Sequence, residues 1–461
     1  MRVKRTSLGA TFVVVWALAN LVHHANGTRG PLDFISILNV LAALWVLAAP
    51  RSAGRLCLLA ATQVLDAVWH LPFSPDHQLL AAFVNILILH RWLRARPSDN
   101  ADLVMAVAGG ARVVLLIAYV AAALSKYNES FLDPASSCAT WIATKASGGL
   151  IDRGDGAAAG FLIVTLLAET SIPLLLLLPK TRRWGVVIGI GFHLLVCLSP
   201  AVGVADFSVT LWALFLLFAH PDDVSDAGVA MRSTLRRSAI VRDLSRVPAP
   251  ILVGVTTTLI VLGDRTEGGS VILILLSWIA AVVTGVALLV SLTRATLRNR
   301  STTIRWGRLP AVSVCVCLAM LALVASPYLG FGTSSRFTMF SGLRTEGPGT
   351  NHLFLPSVHV IDSQNRWWII EELETRHPRE GRTTNASPVT ARAGIPEVEI
   401  RRLLSDQDLG GTFVAPDGQK VIIKPGVDHP MRGGNRWWEE RTQHYRPFVV
   451  AGVSDPAFCS N

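Results

Sequence analysis

Three ionisable residues stand in or at the edge of apolar sequence. Lys126 follows an apolar segment that begins at Arg112 and ends abruptly at Ser125-Lys126-Tyr127-Asn128. Glu169 lies within LLAETSIP and His193 within GIGFHLLVCLSP. Ionisable groups inside a membrane are expensive and rarely face lipid, so Glu169 and His193 should face a bundle interior or a cavity. The plain use of Lys126 is as an anchor, with its stem in lipid and its ammonium in water. The plain uses of the other two are an ion pair for Glu169 and a hydrogen bond to a carbonyl for His193. The chemical alternative is a buried cavity around Lys126. Desolvation disfavours an ammonium, and the amine left behind is a general base that works near neutral pH.

Three polar clusters belong to the same side of the membrane if the apolar runs alternate across it. They are Trp69–His77, which contains Asp76, then Ser125–Asn128, and then Pro200–Ser208 with Asp206. Within them His77 has the chemistry to orient or stabilise an anion formed at Lys126. Asp76 stands beside it.

The elements that must position these groups are membrane helices. The chain has 461 residues, 51% hydrophobic and 16% charged, with a mean hydropathy of +0.45. This is the profile of an integral membrane protein. The net charge of +10 comes from basic residues in short loops between apolar runs. It is a topological signal and argues against nucleic acid as a partner. The six cysteines show no C-x-x-C or Cys/His ligand spacing, so no metal site is expected. Cys57, Cys197, Cys315 and Cys317 fall in apolar runs, whereas Cys138 and Cys459 fall in polar sequence where a disulfide between them is possible.

Apolar segments run over Leu8–Val22 and about 34–49, 55–71, 78–93, 103–125, 157–179, 184–200, 203–219, 249–263, 270–293 and 310–326. The fold expected is mainly α, a polytopic bundle of about eleven transmembrane helices. Alternate connections are basic: Arg2/Lys4/Arg5, Arg51/Arg55, Arg91/Arg94/Arg96, Lys180/Arg182/Arg183 and the arginines of 232–246 and 294–308. With these inside a cell membrane, the N-terminus is cytoplasmic, and 72–77, 126–156, 201–207 and 264–269 lie outside together with the tail. Residues 1–220 form a first bundle, 221–247 a polar cytoplasmic linker, and 248–329 further helices. From 330 to 461 short β-branched or aromatic segments alternate with turn signals, as expected of a small β-rich extracytoplasmic domain. Its segments include 358–362, 367–374, 397–404, 419–424 and 447–450. The pairs Trp367-Trp368 and Trp437-Trp438 read as core or interfacial aromatics.

The ordered set A-x-L-S-Lys126-Y-N, Glu169-x10-Lys180-T-Arg182, Phe192-His193 and Phe207-Ser208 resembles the vitamin K-dependent γ-carboxylase and its bacterial relatives, the horizontally transferred transmembrane (HTTM) domain proteins. Leu71-Pro72 and Asp76-His77 sit where that family has Leu-Pro and then Asn-His. Ser326–Gly330 and Phe337–Glu346, with Asn351-His352, are similar to a run of the bacterial branch. The likeness covers about residues 10–220, and more loosely 326–356.

The resemblance implies that Lys126 deprotonates a reduced quinone, a naphthoquinol such as menaquinol. Oxygen then adds, and the strong base formed removes a γ-proton from a substrate glutamate. The carbanion takes up carbon dioxide, and the quinone leaves as its epoxide, with His77 beside the oxygen-bearing intermediate. The activity would be that of a carbon–carbon lyase or of a quinol-epoxidising oxidoreductase. Two departures stand out: Asp76 replaces Asn, and the extracytoplasmic domain is much smaller than the animal enzyme's. The alternative function is a non-enzymatic membrane factor that matures, assembles or exports a secreted peptide. A transporter lined by Glu169 and His193 is the weakest reading, because no inverted repeat is visible.

Overall fold

The structure, a computed structural model, describes residues 2–25, 33–225, 267–298, 306, 309–345, 350–358, 360, 366–376, 383–385, 393–445 and 448–449. The expected helix at 249–263, the linker 221–247 beyond residue 225, and Cys459 lie outside them. Cys138 is disulfide-bonded, and Cys57, Cys197, Cys315 and Cys317 are free.

The chain begins with α1 (Arg2–Ala25), α2 (Phe34–Ala48), α3 (Ala53–Trp69), α4 (Asp76–Ala95) and α5 (Asn100–Ser125). Two short helices follow, α6 (Glu129–Leu132) and α7 (Cys138–Ala146), then α8 (Gly156–Leu177), α9 (Arg182–Cys197) and α10 (Ala205–Leu216). Beyond these lie α11 (Glu267–Leu297) and α12 (Ala311–Leu329). Five of the starts carry oxygen caps: Asp33, Ser52, Asp99, Asn128 and Ser137 each accept a first-turn amide.

Five described helical segments are long and apolar enough to cross a membrane: Leu8–Ala25, Asn100–Ser125, Gly156–Leu177, Val271–Leu297 and Ala311–Leu329. The expected count of about eleven crossings is not reached among the described residues. Several of the predicted segments do form helices, but α2 and α10 are shorter apolar helices, and α3, α4 and α9 do not reach the length and hydropathy of a span.

The first helix is the axis. It packs against α2, α5, α10 and α11, and Phe12, Val13, Val15, Trp16 and Val22 are wholly or almost wholly buried. Its polar residues Asn20, His23 and His24 are buried too, bonded to partners on other helices. Trp16 Nε1 donates to Gln63 Oε1 (3.1 Å) and Asn85 Oδ1 (3.2 Å), and Gln63 Nε2 donates to Asn20 Oδ1 (3.1 Å). Small residues let the backbones close up elsewhere: a Cβ at Gly285 would lie 2.5 Å from the Trp212 ring. The outward faces of α8, α11 and α12 expose Leu167, Leu174, Ile272, Leu276, Leu318 and Leu321, a surface suited to lipid.

The C-terminal ends of α1 and α5 and the N-terminal ends of α4 and α10 gather at one end of the bundle. There, Asp76, His77, Lys126 and Asp206 are all buried. The chain leaving α12 turns at Gly330 (φ 92°) and crosses this end as a buried loop, residues 331–345. Ser335, Phe337 and Phe340 hold left-handed backbone (φ 59°, 59° and 51°). Phe337 is kept there by its amide, which donates to Asp76 Oδ1 at 2.9 Å.

An antiparallel sheet follows: β1 (Trp367–Arg376), β2 (Thr383–Asn385), β3 (Ala393–Pro396), β4 (Leu409–Val414), β5 (Lys420–Ile423) and β6 (Phe448–Val449). The order is β5-β4-β1-β3-β6, with β2 paired to the far end of β1. Trp368 and Ile370 point inward, and a bulge between Ile370 and Glu372 resets the register, so that Leu373 is the next side chain packed on the core. Opposite the bulge Gly411 leaves room for the Glu372 carbonyl, which any Cβ would strike.

The segment at 397–404, expected as a short strand, is instead α13 (Glu397–Leu404), which packs Ile400 and Leu404 on the sheet. Val398 and Ile400 fit an alternating pattern. The helix is favoured by Pro396 at its N-cap, by acidic residues in its first turn, and by the Glu397–Arg401 and Glu399–Arg402 pairs (both 2.5 Å). The strand expected at 358–362 lies largely outside the described residues. After α14 (Trp437–Thr442), residues 442–445 join the sheet to the loop over the bundle. Thr333 and Ser334 amides donate to the His444 carbonyl (both 3.0 Å), and Tyr445 Oη donates to the Gly330 carbonyl (2.9 Å).

Glu399 holds this joint from the sheet side. Its Oε1 lies 3.0 Å from His444 Nδ1 and accepts the Tyr445 amide at 2.8 Å. Burial alone would raise its pKa, but His444, Arg402 and the Tyr445 amide hold it below the ordinary value. A depressed carboxylate contributes stability that is complete above its ordinary value of 4.5 and is lost as pH falls through the lower folded value. Thermal melts of the detergent-purified chain across pH should show that loss. Glu399→Gln should melt lower near neutral pH, by about 1.5–3 kcal/mol of stability, and should lose less on acidification.

Candidate functional site

Lys126 is not an interfacial anchor. The last turn of α5 ends at Ser125, and the Asn128 side chain folds the following turn. Asn128 Nδ2 donates to the Ser125 carbonyl (2.6 Å) and the Ser341 carbonyl (2.7 Å), while its Oδ1 caps α6. With the backbone so turned, the Lys126 side chain runs back into the bundle and is 2% exposed. Its Nζ lies 2.6 Å from Glu169 Oε2 and donates to the carbonyls of Met339 (3.3 Å) and Ala122 (3.4 Å).

Glu169 sits on α8 one turn before Pro173. Proline has no N–H to return to the Glu169 carbonyl, so the helix is opened at the charged residue. Beside Glu169, Thr170 Oγ1 lies 3.0 Å from Tyr127 Oη. Tyr119, two turns before Lys126 on α5, brings its Oη to 2.5 Å from His193 Nε2 on α9, and the Ser208 hydroxyl donates to the His193 carbonyl at 3.2 Å.

These four side chains, Tyr119, Lys126, Glu169 and His193, line one cavity. Its empty volume, including the mouth, is about 760 Å³. The remaining wall is apolar and largely aromatic: Phe131, Phe161, Phe192, Phe207, Phe337, Met339 and Phe340 are among its residues. Besides Glu169 Oε2, which is ion-paired with Lys126, two polar atoms in lining residues, His193 Nδ1 and Thr165 Oγ1, are buried without a hydrogen bond among the described residues. An apolar, aromatic wall with a few converging polar groups suits a flat hydrophobic ligand with polar edges.

The sequence-derived candidates therefore separate. Lys126, Glu169 and His193 meet in the cavity. His77 does not line it; its Nε2 lies 3.1 Å from Asp206 Oδ2 and 2.9 Å from His23 Nδ1. Asp76, next to it, holds the Phe337 amide and faces Arg336, so it positions the loop that roofs the cavity. The loop is sewn down again by Asn351, whose Nδ2 donates to Ser130 Oγ and the Gly342 carbonyl (both 2.9 Å), and by His352, whose Nε2 lies 2.9 Å from the Leu124 carbonyl. Sequence reasoning missed Tyr119 and His23 as site residues. Tyr119 had a signal in its spacing, seven residues before Lys126 and so on the same helix face. His23 had one in its place at the end of the first apolar run, on the side expected for His77.

Comparison with known proteins finds no matching family model, curated protein or solved structure. The chemistry of the cavity rests on its own geometry.

A buried pair broken on one side leaves an uncompensated charge, whereas replacing both partners with apolar groups of similar volume is close to neutral. Glu169→Leu alone should lower stability by about 3–5 kcal/mol. The double variant Lys126→Met/Glu169→Leu should recover most of that loss. Thermal midpoints of the detergent-purified single and double variants measure the difference.

Proposed function

We propose that this chain is an integral membrane protein of the γ-carboxylase-like, HTTM kind, in which Lys126 acts as general base on a hydroquinone held in the aromatic cavity. The observation that carries the reading is the Lys126–Glu169 pair, 2.6 Å apart on the wall of an otherwise apolar cavity. A proton moving from Lys126 to Glu169 leaves a neutral amine beside a neutral acid. The amine can then take the proton of a ring hydroxyl, giving an ammonium next to a phenolate. Net charge in the cavity stays at zero throughout, which is the least costly route for charge formation in a low-dielectric space. His193 and Thr165 supply polar atoms for the far edge of the ring. A hydroquinone held there, with a ring hydroxyl at Lys126, would supply the oxygen-reactive ring that epoxidation needs.

The basic connections orient the bundle with its N-terminus in the cytoplasm, so that the cavity end and the sheet domain lie outside. A lipid-soluble quinol reaches such a cavity from the bilayer, and the roof formed by 331–345 keeps water from the strong base. The substrate that the base acts on would be a secreted or membrane-borne chain. A second reading, a factor that handles a secreted peptide without catalysis, is favoured by the exposed edge strand β5, where Ile422 is 69% exposed and a peptide strand could add.

Membranes carrying the wild-type chain, supplied with reduced naphthoquinone and oxygen, should yield quinone epoxide by mass spectrometry. Lys126→Ala, at matched expression, should yield at least about 100-fold less. Absence of epoxide from the folded wild-type chain, with quinol shown to enter the membrane, would overturn the enzyme reading in favour of the peptide-handling one.

A further inference from the structure

One buried cluster has no part in the cavity. His23 at the end of α1, His77 in the first turn of α4 and Asp206 in the first turn of α10 are 8%, 9% and 7% exposed. Three of their atoms meet edge to edge. His23 Nδ1 lies 2.9 Å from Asp206 Oδ2, His77 Nε2 lies 3.1 Å from the same oxygen, and the two ring nitrogens lie 2.9 Å apart.

Protons alone do not satisfy this triangle. One proton on either nitrogen can be shared with the other two atoms, but it leaves the remaining pair with lone pairs face to face. A proton on each nitrogen sets N–H against N–H at 2.9 Å. A cation above the triangle turns all three contacts favourable at once. The size also fits. Metal–nitrogen and metal–oxygen bonds of about 2.1 Å, at right angles, put neighbouring ligand atoms about 3.0 Å apart. The three sides found here are therefore those of one face of an octahedron.

We propose that His23 Nδ1, His77 Nε2 and Asp206 Oδ2 bind a first-row divalent transition-metal ion through one face. Two imidazoles and one carboxylate suit iron(II), manganese, cobalt or zinc, and disfavour calcium and magnesium, which take oxygen ligands. This site was not expected from the sequence, because its ligands are 54 and 129 residues apart in a chain with no local ligand motif. Further polar side chains pack around the triangle. The Gln78 amide lies 2.6 Å from His23 Nε2 and 2.7 Å from Asp66 Oδ2, and Asp66 in turn lies 3.1 Å from His70 Nδ1.

The ion would tie α1, α4 and α10 together one helical turn from the cavity. Leu80, a turn after His77, and Phe207, next to Asp206, both line the cavity wall. The Phe207 ring also stands between the His77 and His193 rings, with centroids 6.4 and 5.3 Å away.

The test is metal content, which does not depend on any quinone chemistry. The full-length chain, purified in detergent without chelator, should carry about one transition-metal ion per chain by plasma mass spectrometry. Lys126→Ala, which lies outside the triangle, should retain it, and Asp206→Asn and His23→Gln should lose most of it. A wild-type chain stripped with chelator should bind one equivalent of cobalt(II), with X-ray absorption showing imidazole scattering in the first shell. This arm holds even if the variants fail to fold. No stoichiometric metal in the folded wild-type chain, as isolated and after titration with iron(II), manganese, zinc or cobalt, would overturn the proposal. So would a bound ion whose first shell lacks imidazole.

Discussion

A lysine ammonium cannot be carried into an apolar interior unless a counter-charge is carried in with it, and the end of this bundle is built to meet that demand. Lys126 leaves α5, Glu169 comes from the opened turn of α8, and the Met339 carbonyl arrives from a loop 213 residues further along the chain. Each depends on the others. Without the roof the pair would be hydrated, and without the pair the roof would close over an unbalanced charge. The aromatic wall leaves an apolar space beside this pair.

Much of the remaining bundle follows the same rule with neutral groups. Trp16, Asn20, Gln63 and Asn85 bond to one another between α1, α3 and α4. Asn39, Asp66, Gln78 and the histidines of α1 continue the line towards the cavity end. In hydrocarbon an unmet polar atom is expensive, so such chains hold helices in one register where apolar packing alone would allow sliding. The His23–His77–Asp206 triangle closes the line and joins α1 and α4 to α10.

The small sheet contributes through its joint with the bundle. Glu399 gathers His444 and Tyr445, these hold the start of the roofing loop, and Asp76 holds its middle. The geometry around Lys126 is thereby tied to a domain outside the bundle.

By itself the sequence determined the membrane class, the apolar runs, the side of the bundle on which the polar clusters fall, and the β-rich character of the tail. Those are properties of hydropathy, charge distribution and local period, and each is carried by residues close together in the chain. It also pointed to Lys126, Glu169 and His193, because an ionisable group in an apolar run must be accounted for wherever it lies. The tertiary structure decided who meets whom. It turned Lys126 inward instead of towards water, took His77 out of the cavity and set it against His23 and Asp206, and gave Asp76 to the roof. It also made a helix of 397–404, where charge pairs and a proline outweighed a short alternating pattern. The placements of Lys126, His77 and Asp76 depend on helix rotation and on contacts between residues 43 to 261 positions apart, and no local pattern encodes a rotation.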